Sequence, residues 1–183
     1  MASDARVLQV KVTLKGAKPP IWRRLLVESQ APLSTFHDIL QTAMGWYDCH
    51  LHEFESGGIA FGPPDPEAGP GLRDEAAVRL GSLLRSPGDQ LSYLYDFGDG
   101  WQHEVLLEKK VARELGRVYP WVLAGRRACP REDSGGVYGY AAVLEILSNP
   151  AHPEHAETVD WLGVEHDPAR FDPAEVNAML HPG

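Results

Sequence analysis

His50 and His52 stand two residues apart in HLHEFES, a segment whose alternation predicts a strand, so both imidazoles are expected on one face. A His-x-His pair on a strand is a common way to present two ligands to one metal ion. His103, in GDGWQHEV, falls on a second expected strand, on the face of Trp101, Val105 and Leu107, with Asp96, Asp99 and Glu104 near it in sequence. Cys129, Glu132 and Asp133 come from an irregular, glycine-ended segment, CPREDSGG. If sheet and segment converge, His50, His52 and His103 with a carboxylate or thiolate form a site for a divalent metal such as zinc. The candidates for catalysis are Cys129, His103, Glu132 and Asp133. Cys129 would act as a nucleophile activated by a histidine and supported by the backbone N–H groups of Gly135-Gly136. A plainer alternative stands beside each reading. His103 on an apolar face is satisfied by a hydrogen bond inside the core. Glu132 and Asp133 favour the dipole of a helix starting near Val137, a start that could also receive an anion at Ser134 to Gly136.

The elements that must position these residues divide into strands first and helices last. In VLQVKVTL, Leu8, Val10, Val12 and Leu14 alternate with polar residues, and IWRRLLVE follows after the Pro19-Pro20 break, so residues 7–28 predict a hairpin. Thr35 and Asp38 have capping-box spacing, and Phe36, Ile39, Leu40, Ala43 and Met44 share one helical face that ends at Gly45. HLHEF and IAFG form a second hairpin around Gly57-Gly58. FGPPDPEAGPGLRDEAAV reads as a long surface loop, and RLGSLL as a short strand. LSYLYDF and WQHEVLLE form a third hairpin, with Gly98 and Gly100 expected at positive φ in its turn. Beyond residue 110 the pattern is irregular, with one short strand near Val122. Helices follow around Tyr140–Leu147, from Pro153 through Leu162, and from Asp172-Pro173, the last burying Val176, Met179 and Leu180. The expected fold is α+β: an antiparallel sheet with a β-grasp-like hairpin and helix at the N-terminal end and C-terminal helices covering one side or end. A single domain is expected over 1–183, sheet-rich in 7–110.

Composition narrows the partners. The chain has 183 residues, 17 Lys and Arg against 26 Asp and Glu, and a net charge of −9, which disfavours duplex nucleic acid. Residues 1–30 carry +4 and residues 149–183 carry −6, which reads first as two solvated faces; residues 157–167 are expected to form an exposed negative surface that could also face the basic hairpin of this chain or of a second copy. Trp22 with Arg23-Arg24 offers only a sparse aromatic and basic face for a single strand. No apolar run approaches the roughly 18 residues of a membrane span, and MASDARVLQV lacks a signal-peptide h-region. Two cysteines make no disulfide framework, so a reducing cytoplasm is the expected setting. DFGDGW lacks the rest of the kinase signature.

In combination, KPPIWRRLLV, LQTAMGWYDCHLHEF, GDGWQHEV, ACPREDSGGVYGY and PEHAETVDWLG resemble the family of the third open reading frame of plasmid pRiA4b, from about Val7 to Leu180. Arg131 stands where a second proline is common in the family, and the long loop at 62–76 is variable. The resemblance implies a compact α+β fold, a bacterial or archaeal origin and association with mobile elements, since members are labelled transposon resolvases or insertion-element passengers. It implies no mechanism. A recombinase needs clustered arginines around its nucleophile, and here Arg23-Arg24 is the only early pair, with adjacent strand residues facing opposite ways. The expected function is therefore a non-catalytic binding or adaptor domain with a protein or small-molecule partner. The alternative is a small metal-dependent or thiol hydrolase built on the His, Cys and acid residues above.

Overall fold

The computed structural model describes residues 7–65, 71–163 and 166–182. Eight strands form one sheet: β1 (Val7–Leu14), β2 (Ile21–Glu28), β3 (His52–Ser56), β4 (Ile59–Gly62), β5 (Leu72–Asp74), β6 (Gln90–Tyr95), β7 (Trp101–Val111) and β8 (Trp121–Arg126). Their order is β5-β4-β3-β6-β7-β1-β2-β8. Every pairing is antiparallel except β4 with β5, a parallel pair at one edge that lies in the expected surface loop. The three hairpins foreseen from alternation are β1–β2, β3–β4 and β6–β7. Leu8, Val10, Val12 and Leu14 bury one face of β1, which lies between β2 and β7. Where β1 pairs with β7 the register jumps past Glu108, a bulge that aims its carboxylate at Arg24 (2.7 and 2.8 Å) and Gln9 (2.7 Å).

The described residues also form five helices: α1 (Leu33–Met44), α2 (Leu80–Leu83), α3 (Gly136–Ser148), α4 (His155–Leu162) and α5 (Pro173–Leu180). The α+β architecture and the order hairpin, then helix, at the N-terminal end agree with the sequence. Helix α1 buries Leu33, Phe36, Ile39, Leu40, Ala43 and Met44 and ends at Gly45, whose φ of 93° suits a residue without Cβ. It starts earlier than its capping spacing indicated: Pro32 is the N-cap and no side chain caps it, so Thr35 and Asp38 lie inside the helix. RLGSLL is a helical turn rather than a strand, with Leu80 and Leu84 anchored in the core. At the β6–β7 turn Gly100 has the expected positive φ, but Asp96, not Gly98, supplies the other left-handed residue (φ 58°). Helix α4 begins at His155 rather than Pro153. Helix α5 is capped as read, Asp172 accepting from Ala174 N–H at 2.8 Å, and it buries Val176 and Asn177, while Met179 is exposed. Among the described residues no helix is long and apolar enough to cross a membrane.

Candidate metal centre

His50 lies just before β3, at a bend, so it does not alternate with His52 as a strand residue would. Its Nε2 is surrounded by carboxylate oxygens: Asp133 Oδ1 at 3.2 Å, Asp96 Oδ2 at 3.6 Å and Glu132 Oε2 at 3.8 Å. Each of the two buried acids divides its oxygens between tasks. Glu132 Oε1 accepts from Tyr47 N–H (3.0 Å) and from the Tyr95 hydroxyl (2.9 Å), which leaves Oε2 turned towards His50. Asp96 Oδ1 accepts from Gly98 N–H (2.9 Å), leaving Oδ2 for the same point. His50 Nε2 and Glu132 Oε2 are both buried and have no hydrogen-bond partner among the described residues. Asp133, with 76% of its side chain exposed, marks the side open to solvent. Metal–ligand bonds near 2.1 Å, at angles of about 90–110°, separate ligand atoms by roughly 3.0–3.4 Å; the His50–Asp133 separation falls in that range, and the Asp96 and Glu132 oxygens lie a little farther out.

Backbone geometry supports the convergence. Asp96 and Asp133 both sit at positive φ (58° and 59°), a conformation that non-glycine residues adopt at a cost and that is concentrated at functional sites. The β6–β7 turn carrying Asp96 is tied to the loop carrying Glu132 and Asp133, because Asp99 Oδ2 accepts from Gly135 N–H at 3.0 Å. The anion at the start of α3 is therefore the chain's own Asp99, and neither Glu132 nor Asp133 caps that helix. A Cβ on Gly136 would lie 2.4 Å from the Asp99 carbonyl oxygen, so close approach requires glycine there.

His52 belongs to a second cluster. Its ring stacks on His37 from α1, centroids 3.5 Å apart and planes 7° apart. His52 Nε2 meets Glu75 Oε2 at 2.8 Å, and His37 Nε2 meets Asp48 Oδ1 at 2.9 Å, while His37 Nδ1 shares a hydrogen bond with the Tyr93 hydroxyl at 2.8 Å. Burial, with His52 alongside, holds the His37 pKa below its ordinary value. Two groups of His and acid ligand atoms, each mutually within 4.8 Å, thus exist among the described residues: His50 with Asp96 and Asp133, and His37 with Asp48 and His52. His103 is in neither. It is fully buried opposite Tyr93, its Nδ1 donates to the Tyr93 carbonyl at 3.2 Å, and burial drives its pKa down to about 4. The structure therefore does not gather His50, His52 and His103 around one point.

Cys129 is buried at the back of the same loop, and burial pushes its thiol pKa well up despite the nearby Arg23, which disfavours the thiolate a nucleophile needs. Arg23 is also buried. Its Nε donates to the Ala43 carbonyl (2.7 Å), its Nη1 to the carbonyls of Trp22 (2.9 Å) and Arg126 (3.2 Å), and its plane lies over the Phe171 ring at 3.9 Å. Removal from water lowers its pKa to about 10.

The comparisons agree on one lineage. The family model described as plasmid pRiA4b ORF-3-like protein matches residues 6–175. The chain belongs to this family. An uncharacterized protein, y4hQ, of Sinorhizobium fredii is 41% identical over 178 residues, covering 96% of this chain and 91% of the relative. A crystal structure of a protein of unknown function, MM3350, from Methanosarcina mazei Go1 matches with a TM-score of 0.86 and 39% identity, over 94% of this chain and 98% of that one. Neither relative's name gives an activity, so the reading of this pRiA4b ORF-3-like family member's site rests on its own residues. Of that site, the sequence pointed to His50, Glu132 and Asp133. It missed Tyr95 as the support of Glu132, and it missed His37, Asp48 and Glu75. The available signal for His37 was its place beside Phe36 and Leu40, at a helix position too buried for an unpartnered imidazole.

Proposed function

We propose that this family member binds one divalent metal ion through His50, Asp96, Glu132 and Asp133 and uses it for hydrolysis. The observation that carries the reading is the gathering of His50 Nε2, Asp96 Oδ2 and Asp133 Oδ1 within 4.8 Å of one another, with the buried Glu132 Oε2, which has no hydrogen-bond partner among the described residues, 3.8 Å from the same imidazole. Buried polar atoms are normally paired, and a cation pairs all four ligands at once. One imidazole among three carboxylates suits zinc, manganese or ferrous iron. The ion would act as a Lewis acid and lower the pKa of a bound water. Asp133, on the solvent side, is placed to orient that water. Glu132 and Asp133 also line a cavity of about 400 Å³ with Tyr47, Arg131 and Trp161, room for a small substrate.

The test is elemental analysis of untagged protein, followed by titration of stripped protein with zinc, manganese and ferrous iron. Stoichiometric metal, lost in Glu132→Gln, is the expected result, together with metal-dependent cleavage of simple nitrophenyl esters or phosphoesters. Protein that binds none of these ions refutes the reading. A second reading is a non-catalytic adaptor that docks a protein partner, for which the exposed Leu115 and Val118, three residues apart in one loop, are candidate contacts. Metal-free protein with a stoichiometric protein partner is the result that reading expects.

A further inference from the structure

Arg23 holds a buried charge that no acid answers among the described residues. It is 1% exposed, all its hydrogen bonds run from Nε and Nη1 to main-chain carbonyls, and no carboxylate pairs with it among the described residues. Among the described residues Nη2 makes no hydrogen bond. A cation buried without a counter-charge is strongly unfavourable, and proteins avoid the arrangement unless something neutralises it. Cys129 is the nearby group that could do so as thiolate, but its own burial holds it protonated.

The side chain lines a cavity of about 280 Å³ together with Thr42, Cys129, His166 and Phe171. A water molecule occupies about 30 Å³ of liquid, so an oxyanion with a short substituent fits. His166 Nε2, also buried, has no hydrogen-bond partner among the described residues. Three acids share the cavity wall, Asp167, Asp172 and Glu175, and each has a partner of its own. Asp172 caps α5 through Ala174 N–H, Asp167 accepts from Ala169 N–H at 2.8 Å, and Glu175 pairs with Arg170.

We propose that this cavity binds a small oxyanion, a carboxylate or a phosphate, held by Arg23 Nη2 with His166 beside it. Gly45, Cys129 and His166 border both this cavity and the one lined by Glu132 and Asp133, so the anion sits next to the candidate metal centre without depending on it.

The experiment uses the full chain stripped of metal, which separates this proposal from the preceding one. Thermal unfolding and calorimetric titration are run with inorganic phosphate and with acetate, against sodium chloride at equal ionic strength. Saturable stabilisation by phosphate or acetate, and not by chloride, is expected, and which of the two acts identifies the source of the oxyanion. Arg23→Gln should weaken binding at least tenfold. Because that variant removes a core side chain, Thr42→Glu provides a second arm: Thr42 is a helix position on the cavity wall, where a built-in carboxylate should raise the melting temperature and abolish the anion response. Wild-type protein with no saturable response, or Thr42→Glu with the full response, overturns the proposal.

Discussion

Acidification should weaken this fold through His103 in a way that can be isolated. In the native state burial keeps His103 neutral down to about pH 4, against 6.5 when it is free. As pH falls below 6.5 the unfolded chain takes up a proton that the native state refuses, so stability is lost between pH 6.5 and 4 and is unaffected above that window. At pH 5 the unfolded imidazole is almost fully charged and the native one almost fully neutral. One pH unit of differential protonation is worth about 1.4 kcal/mol, so the 1.5 units between 6.5 and 5 correspond to about 2 kcal/mol. The assay is urea unfolding of wild type and His103→Leu at pH 7 and pH 5. Removing the hydrogen bond to the Tyr93 carbonyl lowers stability at both pH values. The wild type alone should then lose the further 2 kcal/mol or so on acidification, because His37, which acts in the same direction, is present in both proteins. An equal loss in the two proteins refutes the reasoning, since it would mean that native His103 titrates like the unfolded residue.

Tyr95→Phe removes the hydroxyl that fixes Glu132 Oε1, and metal affinity by calorimetric titration should fall about 10- to 100-fold with the fold intact by circular dichroism. Gly125→Ala should destabilise by about 1–3 kcal/mol in denaturant unfolding, because its Cβ would meet Phe171 Cε1 at 2.3 Å and push that ring off Arg23. Iodoacetamide at pH 8, followed by mass spectrometry, should label Cys49 quickly and Cys129 only at the rate of unfolding, since the first is exposed and the second buried with a raised pKa.

The strands were legible because their signal is local. Alternation in VLQVKVTL and the Gly57-Gly58 turn state pairing and face without reference to the rest of the chain. The β4–β5 pairing was not legible, since β5 is three residues whose partner is reached across a long loop. RLGSLL misled because three leucines in six residues fit a strand as well as a buried helical turn. At the site, residue type indicated His50, Glu132 and Asp133, but the two-residue spacing of His50 and His52 suggested a shared face that holds only inside a strand, and β3 begins at His52. Met179 is exposed because α5 turns Val176 and Asn177 inward. The Asn177 side chain accepts from Val122 N–H (2.8 Å) and donates to the Val122 carbonyl (2.9 Å), so a polar residue takes the inward place.

The Asp99 contact with Gly135 has a consequence for modularity. Asp96 and the pair Glu132-Asp133 are more than thirty residues apart, yet the turn bearing one and the loop bearing the others are clasped to each other through the side chain of Asp99 and the bare backbone of Gly136. The two pieces form a mechanical unit, so neither can be transplanted, lengthened or randomised alone without moving the carboxylates of the other. A library that varies residues 129–136 while leaving 96–100 untouched should return mostly sequences that keep glycine at 135 and 136. Engineering that aims to move this cluster onto another sheet has to carry the turn and the loop together.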